Sequence, residues 1–185
     1  MLGISEIKSG KNIELNGQPY KVLSHEHSKM GRAGAVLRTR LKNLKTGAVL
    51  EKTFQGADKV KEADLEINRA QYLYKDNNDY IFMNQDNFEQ FTITSQNLGD
   101  SANYLIEGTE VNILIYQGEP INIELPVKMK FKVVDAPPGI KGDTASGGNK
   151  LVTLETGMKI SAPLFIKVND TVIINTEKGE YVSRG

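Results

Sequence analysis

The chain contains no cysteine. That excludes disulfides and thiolate metal sites, and it fits a reducing cytoplasm. No apolar run approaches the roughly 18 residues that a membrane-spanning helix needs. The first residues, Met1-Leu2-Gly3-Ile4-Ser5-Glu6, lack the basic start and apolar core of a secretory signal. These absences predict a cytoplasmic protein with no membrane partner. Histidine is scarce: His25 and His27 are the only two, at i and i+2 on a predicted strand, and no third metal ligand presents itself on the same face. There is no Gly-x-Ser-x-Gly, no phosphate loop and no clustered acid/base pair. A carbohydrate-processing or metal-dependent enzyme is therefore poorly supported, and the reading is of a protein that is not an enzyme.

Net charge is absent too: 23 Lys+Arg balance 23 Asp+Glu. The balance hides a segregation. Residues 1–64 carry 12 cationic and 7 acidic side chains, residues 65–126 carry 2 and 10, and residues 127–185 carry 9 and 6. Such a pattern predicts separate modules, with the outer two better suited to phosphate. Alternating or β-branched runs recur along the chain with turn residues between them, which indicates small barrels or sandwiches. Asn12 to Leu15, then Asn16-Gly17, then Tyr20 to Leu23 reads as a hairpin. The same device recurs around Gln117-Gly118 and around Glu177 to Glu180. Helix signals are few: Ser101 to Ile106, stopping before Gly108, and one further turn at Ser95 to Leu98. Residues 59–69 are helix-compatible but read as a junction, since the charge sign flips there. A second junction falls at Leu125-Pro126-Val127, followed by the basic alternating strand Lys128 to Val134. Three domains follow: 1–64, 65–126 and 127–185. Units of this size are marginal alone, so the first two are expected to lean on each other. Three in a row would span roughly 80 Å.

One short segment stands out: Lys29-Met30-Gly31-Arg32-Ala33-Gly34, between two predicted strands. Glycines on both sides of Arg32 allow a tight turn, placing a permanent charge at the far end of a hairpin. No acid lies in the sequence between Glu26 and Glu51. Along the second strand Arg38, Arg40 and Lys42 alternate with Leu37, Thr39 and Leu41, so one face would present three cations in a line. Such a strand either is charged for solubility or faces a phosphate backbone, giving affinity without base readout. A generic multi-barrel protein that binds single-stranded RNA would satisfy these features.

The run Arg40-Leu41-Lys42-Asn43-Leu44-Lys45-Thr46-Gly47, with Glu51-Lys52-Thr53-Phe54, resembles the first domain of bacterial translation elongation factor P. The resemblance continues through Tyr72-Leu73-Tyr74, Phe82-Met83-Asn84, Phe88-Glu89-Gln90, Gly118-Glu119-Pro120-Ile121 and Leu125-Pro126. It ends with Gly142-Asp143-Thr144-Ala145 and Gly179 to Arg184, and so covers essentially the whole chain. It implies an all-β fold of three small β-barrel domains, an SH3-like KOW-type domain followed by two OB-fold domains, in an L-shaped arrangement imitating transfer RNA. It implies binding between the P and E sites of the ribosome and rescue of stalling at consecutive prolines. The partners implied are ribosomal RNA of both subunits and the P-site peptidyl-tRNA, and neither DNA nor a membrane. The elongation-factor-P-like paralogue is the neighbouring alternative.

Within the family the hairpin carries a basic residue toward the CCA end of the P-site transfer RNA, a position matched by Arg32, with Lys29, Met30, Gly31, Ala33 and Gly34 supporting it. Met30-Gly31-Arg32-Ala33 stands where the commonest pattern is Pro-Gly-Lys-Gly. Lysine-specific modifications are therefore impossible here. The resemblance points to the arginine-type branch, in which a rhamnosyltransferase adds rhamnose to the guanidinium. An unmodified arginine and another modification are the alternatives, and no other cofactor is implied. In the third domain the resemblance brings Gly142, Asp143 and Thr144 to the small subunit. Tyr181 and Arg184 would meet RNA near the anticodon stem, unless Tyr181 simply closes its barrel.

Overall fold

The computed structural model describes residues 1–30, 34–138 and 148–185, with the backbone alone described at residues 29, 30 and 34. Three antiparallel sheets follow one another along the chain. The first contains β1 (Leu2–Gly3), β2 (Asn12–Leu15), β3 (Gln18–Met30), β4 (Gly34–Asn43), β5 (Val49–Gln55) and β6 (Lys59–Glu62), in the order β1-β6-β2-β3-β4-β5. The turn between β2 and β3 is Asn16-Gly17, at φ +50° and +74°. Both residues are left-handed, as a two-residue hairpin matching strand twist requires. Ile13, Val22, Leu37, Leu41, Phe54 and Val60 alternate inward along these strands and form the first core.

The second sheet contains β7 (Leu65–Asp76), β8 (Asp79–Asn84), β9 (Gln90–Thr94), β10 (Glu110–Tyr116) and β11 (Glu119–Glu124), ordered β11-β10-β7-β8-β9. Its edge strands β9 and β11 approach each other, curling the sheet toward a barrel. Between β9 and β10 lie a single α-turn, α1 (Ser95–Leu98), and a 3₁₀ segment, Gly99–Tyr104. Thr94 caps α1 by accepting the Asn97 N–H at 3.3 Å. The helical signal read over Ser101 to Ile106 is therefore a 3₁₀ turn that begins two residues earlier. Residues 59–69 are not helical at all. Residues 59–62 complete the first sheet and Leu65 opens the second, leaving only Ala63 and Asp64 between them.

The third sheet contains β12 (Lys128–Asp135), β13 (Asn149–Leu154), β14 (Lys159–Pro163), β15 (Thr171–Asn175) and β16 (Glu180–Arg184), ordered β14-β13-β12-β15-β16, and its edges β14 and β16 also approach. On β12 the lysines at 128, 130 and 132 face solvent while Phe131 and Val133 are buried.

The modules share cores. Leu44 and Ala63 pack with Leu114, Tyr116 and Ile121 of the second sheet. Around that apolar contact the Tyr116 hydroxyl donates to Glu14 Oε2 at 2.7 Å, and Lys61 Nζ reaches the same oxygen at 2.9 Å. Lys21 Nζ meets Glu124 Oε1 at 2.9 Å across the same junction. Tyr104, from the 3₁₀ segment, lies in the core of the third sheet, with its ring 6.1 Å from that of Phe131. Burial raises the pKa of its hydroxyl, and the nearby Asp100 adds to the shift.

Candidate nucleic-acid interface

The long hairpin β3–β4 is the feature that organises the first module. Its register runs from Tyr20↔Asn43 to Met30↔Gly34, with one bulge between Val22 and Ser24. Support from neighbouring strands stops short of its end. On one side β2 pairs with β3 only between Gln18 and Lys21, and on the other β5 reaches no farther than Val36. Beyond Ser28↔Val36 the two arms pair only with each other. Residues 31–33 join them. Gly31, Arg32 and Ala33 lie outside the described residues, as do the side chains of Lys29, Met30 and Gly34.

The strand alternation read in β4 is present. Leu37, Thr39 and Leu41 are buried, and the Thr39 hydroxyl donates to the Lys52 carbonyl at 2.8 Å, which satisfies the one polar group among them. Arg38, Arg40 and Lys42 are exposed on the other face. Successive same-face residues stand about 6.8 Å apart along a strand, so the three cations extend over about 14 Å. The register adds what the linear sequence hid. Glu26 lies opposite Arg38, and Glu51 lies opposite Arg40. Lys42 instead faces Lys21 and Val49. Among the described residues the ion pairs join Lys11 to Glu62, Lys21 to Glu124, Lys61 to Glu14 and Arg184 to Asp170. The three β4 cations thus close no ion pair there, but two of the three have a carboxylate as cross-strand neighbour. Lys21, not singled out by sequence reasoning, is the fourth cation of this face. Its ammonium is held by Glu124, more than a hundred residues away.

His25 and His27 share the opposite face of the hairpin, their rings edge to face at 5.9 Å. The Ser9 N–H donates to His25 Nδ1 at 3.1 Å. In the neutral ring this places the proton on Nε2. Among the described residues no three His, Cys, Asp or Glu side chains group closely enough to hold a metal ion. An open groove of about 890 Å³ lies where the three modules meet, and Lys21, Lys42, Glu124 and Lys178 line it with both signs of charge.

In the third module Gly142, Asp143 and Thr144 lie outside the described residues. Tyr181 pairs with Ile174 and is half-buried against the core that contains Phe131 and Tyr104. Arg184 Nη2 donates to Asp170 Oδ1 at 2.8 Å, while its side chain remains 60% exposed. The structure therefore places Tyr181 against the third core and Arg184 at that module's surface, neither of them on the sheet that carries the β4 cations.

Each sheet coincides with a family model. Residues 3–60 match the Elongation factor P (EF-P) KOW-like domain, residues 65–123 the Elongation factor P (EF-P) OB domain, and residues 129–184 the Elongation factor P, C-terminal model. Over 184 residues, all of each chain, the sequence is 45% identical to Elongation factor P of Thermotoga petrophila. Over the same span it is 44% identical to that of Dictyoglomus thermophilum and 42% to that of Pelotomaculum thermopropionicum. Among solved structures, eukaryotic translation initiation factor 5A from Methanococcus jannaschii aligns with a TM-score of 0.50 at 17% identity, covering 66% of this chain and 94% of that one. That likeness concerns the fold. Among the described residues no helix is long and apolar enough to cross a membrane. With the family's KOW-like, OB and C-terminal domains matched in order and relatives matched from end to end, this chain belongs to the elongation factor P family of translation elongation factors.

Proposed function

We propose that this factor binds the ribosome between the P and E sites in the cytoplasm and accelerates peptide-bond formation at consecutive prolines by positioning the P-site peptidyl-tRNA. The observation that carries the reading is the β3–β4 hairpin. It runs past its supporting strands toward Arg32 and lines one face with Arg38, Arg40 and Lys42. The exposed cations would grip phosphate and set register, a task that needs no base readout. Arg32 would then meet the acceptor end, where a planar guanidinium offers several donors to RNA oxygens. Proline is a poor participant in peptide transfer because its ring fixes the backbone geometry. Holding the acceptor end in a reactive pose lowers the entropic part of the barrier without any reacting group from the factor. The chemistry stays with the ribosome, and the factor is not an enzyme.

The domains divide after residues 64 and 126 in this reading. Gly142, Asp143 and Thr144 face the small subunit, and Arg184 meets RNA near the anticodon stem. Tyr181 contributes mainly by closing its barrel, consistent with its packing. Rhamnose on Arg32, added by an arginine rhamnosyltransferase, would extend the reach of the side chain and add hydroxyl donors and acceptors. A reconstituted translation system provides the test. The factor should relieve stalling at Pro-Pro-Pro, and Arg32→Ala should abolish relief while only weakening ribosome binding. Relief that survives the substitution refutes the assignment of Arg32. Intact mass of the native protein decides the modification: a deoxyhexose mapped to Arg32 supports rhamnose, and an unshifted mass rejects it.

A further inference from the structure

The turn between β8 and β9 holds a side chain where backbone sterics disfavour one. Phe88 sits at φ +60°. There the Cβ of an L-residue crowds the following carbonyl, and a bulky residue is a conformational outlier. The other non-glycine residues with positive φ among the described residues are Asn16, Asn77, Gln117 and Asn169. Asparagine suits this region because its short polar side chain bonds locally; phenylalanine has no such recourse. Nor does burial account for it, since Phe88 is 71% exposed, the most exposed aromatic among the large hydrophobic residues at the surface.

The turn itself is well fastened. The Phe88 N–H donates to the Asn84 carbonyl at 2.9 Å, and the Asn84 N–H donates to the Glu89 carbonyl at 2.9 Å. The buried Asn84 side chain accepts the Asp86 N–H at 2.8 Å, and the Asn87 side chain accepts the Glu89 N–H at 3.0 Å. Each of these bonds uses the backbone or a neighbour of residue 88, never its side chain. The fold therefore does not require a ring at this position, yet presents one outward on a fastened turn. An exposed aromatic on an ordered backbone is the kind of residue that anchors interfaces.

The surroundings select the partner. Asp86 and Glu89 flank the ring and are exposed. Arg69, one of the module's two cationic residues, has its carbonyl accept the Gln85 N–H at 2.9 Å. Across residues 65–126 ten carboxylates face only two cationic side chains. This field repels phosphate and attracts ammonium and guanidinium groups, which also bind aromatic faces. We propose that the Phe88 turn is a docking point for a lysine- and arginine-rich protein surface, met when the factor occupies the ribosome. The proposal rests on the ribosome-binding reading above.

A photoreactive benzoylphenylalanine in place of Phe88, in the full chain bound to purified bacterial ribosomes, supplies the direct test. Irradiation should join it to a ribosomal protein at a Lys/Arg-rich peptide, and excess wild-type factor should suppress the product. A nuclease-sensitive product with RNA, a protein product at a surface without Lys or Arg, or no product in a sedimented complex each overturns the proposal. Failure of the wild-type factor to sediment with ribosomes overturns the ribosome reading itself, and is seen before any irradiation. A second variant, Phe88→Asn, relieves the backbone and should melt at the same temperature or higher, yet bind ribosomes roughly three- to tenfold more weakly. Unchanged affinity in that variant also overturns the proposal.

Discussion

Removing a negative charge from the first module should tighten its hold on the ribosome. Glu51 stands directly opposite the exposed Arg40, and Glu26 directly opposite Arg38. Opposed residues on neighbouring strands have Cβ atoms about 4.5–5.5 Å apart. At that range in water each carboxylate draws on its cation without immobilising it, by about 0–1 kcal/mol. The RNA must displace that attraction before Arg38 or Arg40 can serve a phosphate. Glu51→Gln should therefore raise ribosome affinity by up to about fivefold, the equivalent of 1 kcal/mol. Lys42 has no carboxylate opposite. Lys42→Gln should weaken binding more than Arg40→Gln does. It should also flatten the dependence of log affinity on log salt by about 0.7–0.9, the value expected when one fewer phosphate is neutralised. Sedimentation of the full chain with ribosomes across a series of potassium concentrations measures both quantities. An unchanged slope in Lys42→Gln, or weaker binding in Glu51→Gln, would mean that the β4 charges face water and serve solubility.

The packing between the first two modules leads to two further expectations. Leu44→Ala opens a hole in the shared apolar cluster and should destabilise the protein by about 2 kcal/mol, with calorimetry separating the first module's transition from the second's. Tyr116→Phe deletes the hydrogen bond that is the largest cause holding the Glu14 carboxyl below its ordinary pKa, leaving the Lys61 ammonium to do so alone. A carboxyl with a lowered folded-state pKa contributes its stability above its ordinary value and loses it as pH falls through the lowered one. The variant should thus show a shallower loss of stability on the acid side, and NMR titration should find Glu14 closer to an ordinary carboxylate; an unmoved titration would show that the hydroxyl contact is incidental.

Much of the molecule could be read locally. Asn16-Gly17 announces its own turn, because left-handed backbone is a property of those two residues. Arg38, Arg40 and Lys42 announce their common face, because strand alternation has a period of two. What could not be read depends on register between distant segments. The acid-free stretch after Glu26 looked like an unopposed cationic tract, but pairing returns Glu26 and Glu51 to its two sides. Lys21 and Glu124 meet only because two modules pack together. Residues 59–62 resembled a linker because this four-residue strand buries only Val60, too little to mark a strand by pattern. The strain at Phe88 was invisible for another reason. No propensity favours an aromatic at positive φ, so only the folded backbone reveals it.

Tyr104 bears on the order in which the protein is made. It is a residue of the middle module placed in the core of the last one, beside Phe131. Close to it, an added side chain at Gly179 would stand 3.4 Å from its hydroxyl. The third barrel therefore has a wall it does not encode. Synthesis proceeds from the N-terminus and domains tend to fold as they emerge, so the middle barrel can present this ring before β12 to β16 exist. The last barrel then closes on a finished plug, and a fragment beginning after residue 126 lacks a piece of its own interior.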